Sequence, residues 1–144
     1  MTRRSRIFWV GLLIYAASFF LIALGGSPGP CYGFYAAFYA FILPWNNHPI
    51  GPGGIFDSKL EWLSLLLSGW INPIFLTAAF LDLTGIHKRA FAILRVVVVL
   101  VTPFCWIFFV CSHDYYPREG HFIWILGMLV VLFSRKIAMI HGSR

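Results

Sequence analysis

LEWLSLLLSGWINPIFLTAAFL (Leu60–Leu81) and AFAILRVVVVLVTPFCWIFFVC (Ala90–Cys111), joined by the short polar stretch Asp82-Leu-Thr-Gly-Ile-His-Lys-Arg89, decide how this chain folds. A helix rises about 1.5 Å per residue and must cover about 30 Å of hydrocarbon, so about 20 apolar residues make one crossing. Both runs meet that length, and the turn between them is too short to do anything but send the chain straight back. A membrane-embedded helical hairpin is therefore the nucleus of the reading.

Composition extends the conclusion to the whole chain. Hydrophobic residues make up 60% and aromatic residues 19% of the 144 positions, with a mean hydropathy of +0.80. Soluble domains hold about 45–50% apolar residues. Two further apolar stretches lie outside the hairpin, Ile7–Leu24 before it and His121–Ser134 after it. The last is short unless the helix runs on to about position 138, with Arg135 and Lys136 snorkelling to the interface. The expected fold is all-α: a single polytopic bundle over residues 1–144, with transmembrane helices at about 7–24, 60–81, 90–111 and 121–138.

Charge sets the orientation, because Lys and Arg near span ends are held on the cytoplasmic side. With four spans, the inner side receives Arg3, Arg4, Arg6, Lys88, Arg89, Arg95, Arg135, Lys136 and Arg144, and the outer side only Lys59 and Arg118. Four of the five acids, Asp57, Glu61, Asp114 and Glu119, fall outside. A further crossing at Tyr32–Leu43 would invert the later loops and put Lys88 and Arg89 outside. Both termini are thus expected in the cytoplasm, in a plasma membrane of the bacterial inner type. Arg3, Arg4 and Arg6 before an apolar run also suit a signal peptide, but eighteen residues is long for its core, so the run reads as a span.

The net charge of +6 and pI near 9.6 could suggest nucleic acid. The cations instead lie in small clusters beside the spans, so anionic lipid headgroups in the bilayer are the natural partner and nucleic acid is not.

Residues 25–60 form a long outer connection broken by Gly/Pro clusters at Gly25–Pro30 and Pro49–Gly54. Between them Tyr32–Leu43 winds into a short amphipathic helix. Tyr32, Tyr35 and Tyr39 share one face, Phe34, Phe38 and Phe41 another, and Gly33, Ala36, Ala37 and Ala40 the flank between. The aromatic faces suit the membrane boundary, and the small flank lets another helix approach closely.

Polar residues inside the spans are the candidate site. Ser64, Ser68 and Asn72 recur at helical spacing on one face of the second span. Pro73 and, in the third span, Pro103 beside Thr102 each free a carbonyl one turn earlier. Such broken helices build substrate sites in some transporters and ordinary helix contacts in many more proteins. Asp82, near His87, Lys88 and Arg89, is expected to make only a surface ion pair. The outer loop 112–121, with His113, Asp114, Glu119 and His121, and with His48 and Asp57 on the same side, offers N and O ligands. Their spacing fits no zinc motif, so no metal or other cofactor is expected. Cys31, Cys105 and Cys111 contain no Cys-x-x-Cys pair. Cys31 and Cys111 both fall at the outer surface and could bridge in an oxidising compartment.

No acid/base pair can be placed, so the expected function is non-enzymatic: an accessory or immunity-type partner of another membrane protein, or of a second copy of this chain. In general plan, a small basic four-span chain with both ends inside, it resembles the immunity proteins against pore-forming bacteriocins, a resemblance of architecture alone. The alternative is a small transporter or channel component with a polar pathway along the second span.

Overall fold

The computed structural model describes residues 2–26, 29–45, 58–111 and 115–140. Helix accounts for 82% of it. The elements are α1 (Arg3–Ser18), β1 (Ile22–Gly26), β2 (Cys31–Tyr32), α2 (Gly33–Ile42), a single 3-10 turn (Leu43–Trp45), α3 (Lys59–Thr84), α4 (Lys88–Cys111), β3 (Tyr115–Pro117), α5 (Glu119–Leu132) and α6 (Ser134–Ile140). Helices α3 and α4 are long and apolar enough to cross a membrane. Their limits have local causes. Ser58 accepts a hydrogen bond from the Glu61 N–H at 3.1 Å, the first half of a capping box. At the other end Gly85, with φ 70°, takes the left-handed conformation that closes the helix, and its N–H donates to the Leu81 carbonyl.

The other two expected spans are not single helices of crossing length. Ile7–Leu24 is not one helix. It winds from Arg3 to Ser18, about 24 Å by its rise, and continues as strand β1. The Ser18 hydroxyl bonds back to the Tyr15 carbonyl at 2.6 Å, and the carbonyls beyond it are taken by another element. Gly33 N–H donates to Leu21 O at 2.9 Å and Phe34 N–H to Phe19 O at 3.0 Å, so the start of α2 satisfies the end of α1. Gly33 is required there, because a Cβ would lie 2.6 Å from the Ser18 carbonyl oxygen. The fourth segment also breaks: α5 and α6 meet at Phe133 with a bend of 71° and reach crossing length only together.

The architecture is mostly helical, as expected of an all-α chain, and it adds a small three-stranded antiparallel sheet in the order β2-β1-β3. Residues 22–24 were expected to end a helix, but they extend within β1, where pairing with Cys31–Tyr32 and Tyr115–Pro117 supplies the backbone partners.

Helix α1 packs along α5, and α3 along α4. Small residues bring the first pair close: a Cβ on Gly127 would lie 2.5 Å from the Tyr15 nitrogen, and one on Gly11 2.7 Å from a Val130 methyl. Phe75, Ile71, Met128, Val131 and Val98 fill the centre. Contacts also define two ends. Arg4 of α1, Asp82 of α3 and Arg135 of α6 meet at one, and the sheet joins the last residues of α1 to the approach of α5 at the other.

Candidate functional site

At the sheet end, helix α2 lies across α3 as a roof. Gly69 makes this possible, because a Cβ there would sit 2.4 Å from the Ala40 carbonyl oxygen. The Trp62 indole N–H donates to the Pro44 carbonyl at 3.1 Å and pins the end of the roof to α3. The roof turns its small residues Gly33, Ala36, Ala37 and Ala40 inward and leaves Tyr32, Phe34, Tyr35, Phe38, Tyr39 and Phe41 exposed. Tyr32, Phe34 and Phe38 look away from the protein, whereas Tyr35 and Tyr39 border a groove and Phe41 lies 5.5 Å from the Trp70 ring.

Beneath the roof is a cavity of about 80 Å³. Its polar wall comes from Ser68 and Asn72 of α3, Cys105 of α4, and His121 and Trp124 of α5. Asn72 is the hub. Its Oδ1 accepts from the Tyr15 hydroxyl and from the Trp124 indole N–H, both at 2.9 Å, linking α1, α3 and α5. An indole N–H can only donate, which fixes the amide with oxygen toward Trp124 and nitrogen on the opposite side. His121 is ringed by Trp106, Phe109 and Trp124, with centroids 5.6, 5.0 and 5.3 Å away. Its Nε2 is buried with no partner among the described residues.

The other sequence candidates are placed less centrally. Ser64 donates to Glu61 O, Ser68 to Ser64 O and Thr102 to Val98 O, at 2.8, 2.7 and 2.8 Å. Each hydroxyl proton is spent on its own helix, and Thr102 lies outside the cavity wall. Cys31, Cys105 and Cys111 are free thiols, and burial pushes the Cys31 thiol up from its ordinary value. His48, Asp57, His113 and Asp114 lie outside the described residues. Among the described residues no group of three His, Cys, Asp or Glu side chains could hold a metal.

Two residues were misjudged from sequence. His121 was placed at the junction of the outer loop and the fourth span and counted among the loop ligands, but it is the third residue of α5, 8% exposed and part of the cavity wall. The signal available was His121-x-x-Trp124, which puts both rings on one helix face between Gly120 and Gly127. Asp82 was assigned to the surface, yet its side chain is 1% exposed. Its Oδ1 receives Arg135 at 2.7 Å and Arg4 at 3.0 Å, and Arg4 also donates to the Asp82 carbonyl at 3.0 Å. The pairing partners lie 78 and 53 positions away, and neither is the neighbouring His87, Lys88 or Arg89.

No protein family, curated protein or solved structure matches this chain.

Proposed function

We propose that this chain is a non-enzymatic protein of the bacterial inner membrane that crosses it four times, keeps both termini in the cytoplasm, and acts as an accessory or immunity-type partner of another membrane protein. Helix α1, lengthened by β1, and the bent α5–α6 pair supply the crossings beyond α3 and α4. The clustering of Arg4, Arg135, Lys88, Arg89 and Arg95 at the end opposite the sheet supports cytoplasmic termini.

The observation that carries the partner reading is the outer surface of α2. Six aromatic side chains, each between 41% and 57% exposed, crowd one ten-residue helix and its first flanking residue. Aromatic residues are enriched at protein interfaces, and a contiguous exposed patch of this kind marks a contact surface. The transport alternative draws on Ser68 and Asn72 in the cavity wall. It is weakened because Ser64, Ser68 and Thr102 already donate within their helices. A photo-crosslinking residue at Phe38, in cells, tests the proposal against one at Leu13 of α1. A discrete protein adduct from position 38 alone supports it, whereas lipid adducts at both positions contradict it.

A further inference from the structure

We infer that the roofed cavity is a binding site for a single-chain lipid-like molecule whose head carries a carbonyl oxygen. The site has two parts in series. The inner cavity of about 80 Å³ shares Leu24, Ala36, Ala40, Leu65 and Phe108 with an outer groove of about 640 Å³. The groove passes between the roof and the sheet, beside Pro30, Tyr35, Tyr39 and Tyr115. Its volume lies within the range of about 300–1,000 Å³ usual for small-molecule sites. The walls it shares with the cavity are apolar, and they accept a hydrocarbon chain at no desolvation cost.

The inner end is chemically different. The Asn72 amide oxygen is already saturated by Tyr15 and Trp124, so the group it has left is its NH2 donor. His121 Nε2 is buried without a partner among the described residues, on a side chain only 8% exposed. A buried polar atom left unpaired is costly, and a bound group that pairs it recovers that energy. With the proton on Nε2, His121 offers the cavity a buried donor, the Asn72 NH2 is a second donor in the same lining, and a carbonyl oxygen is the neutral group that answers a donor. A cationic head is excluded by the two donors, and a full negative charge would be expensive among Trp106, Phe109 and Trp124. A neutral carbonyl, as in a protonated fatty acid, an acyl ester or an isoprenoid quinone, meets the donors without either penalty. This inference holds whether or not α2 contacts a protein partner.

The test is quenching of tryptophan fluorescence in the full chain, purified in mild detergent, with Trp124→Phe to assign the signal to the cavity. Three probes are titrated at pH 5: a dibrominated fatty acid, a short-chain isoprenoid quinone, and a dibrominated alkane of the fatty acid's length. Saturable quenching by the fatty acid or the quinone, with the alkane at least tenfold weaker, is the expected result, and the stronger of the two names the source. His121→Phe keeps the ring and removes the nitrogen, and it should weaken binding about tenfold. Ala37→Phe fills the cavity from the roof without touching its floor, and it should abolish binding of every probe. If the alkane binds wild-type protein as tightly as the fatty acid and quinone, the carbonyl assignment is wrong although the cavity is a real site. If no probe quenches saturably, the site itself is refuted. Both of these comparisons use wild-type protein, so they stand even if a variant misfolds.

Discussion

Replacing Asn72 by Leu removes the acceptor that ties α1, α3 and α5 together. The Tyr15 hydroxyl and the Trp124 indole N–H, each now 2.9 Å from Oδ1, would both be left in an apolar interior. Hydrogen bonds between membrane helices average about 0.6 kcal/mol and reach about 1.7. Two lost bonds therefore predict a destabilisation of about 1–3 kcal/mol, or about 3–10 °C in melting temperature for a chain of this size. Thermal unfolding in mild detergent measures it. A double-mutant cycle of Asn72→Leu with Tyr15→Phe then isolates the Tyr15 bond, with an expected coupling of about 0.5–1.5 kcal/mol. The reasoning is refuted if the two substitutions add to within about 0.3 kcal/mol, since independent sites behave that way.

Three further outcomes follow from other contacts. Asp82→Asn keeps the volume and removes the charge that Arg4 and Arg135 share; because each arginine side chain is 41% exposed and can return to water, the expected loss is about 1–3 kcal/mol, measured by the same melt. Gly69→Val drives a methyl-bearing carbon to within 2.4 Å of the Ala40 carbonyl oxygen, so α2 must lift from α3, at a cost of about 1–3 kcal/mol and with faster limited proteolysis after Trp45. Cys31 and Cys111 are expected to bridge when the protein is made in an oxidising compartment, as non-reduced peptide mapping would reveal. Since burial raises the Cys31 thiol and only the thiolate reacts, bridge formation should be faster at pH 9 than at pH 7.

What the sequence displayed and what it concealed divide by range. Helices α3 and α4 were legible to within a few residues, because their signal is local: two apolar runs of crossing length on either side of a short polar turn. The stop of α1 at Ser18 was not. Phe19–Leu24 stays apolar, and hydropathy alone does not distinguish helix from a strand that finds partners in β3 almost a hundred residues later. The bend at Phe133 has no proline to announce it. Within the site, Ser68 and Asn72 were visible as a polar face, and the small flank of α2 was visible as a packing surface. Tyr15, Trp124 and His121 were hidden because no local pattern marks which aromatic side chains of a span turn inward, and only the fold brings Tyr15 and Trp124 to one amide. Asp82 was hidden in the same way, with its arginines at opposite ends of the chain.

In the proposed arrangement the two ends of the bundle face opposite sides of a membrane, with the roofed cavity at the outer end. Side-specific labelling measures this directly. With the three native cysteines replaced by alanine, single cysteines are placed at Thr2, Ile86, Tyr116 and Met139, all exposed positions. A membrane-impermeant maleimide added to intact cells should label position 116 alone, and positions 2, 86 and 139 should react only after permeabilisation. Labelling of position 86 in intact cells, or protection of position 116, would contradict the four-crossing arrangement and the outward-facing site with it.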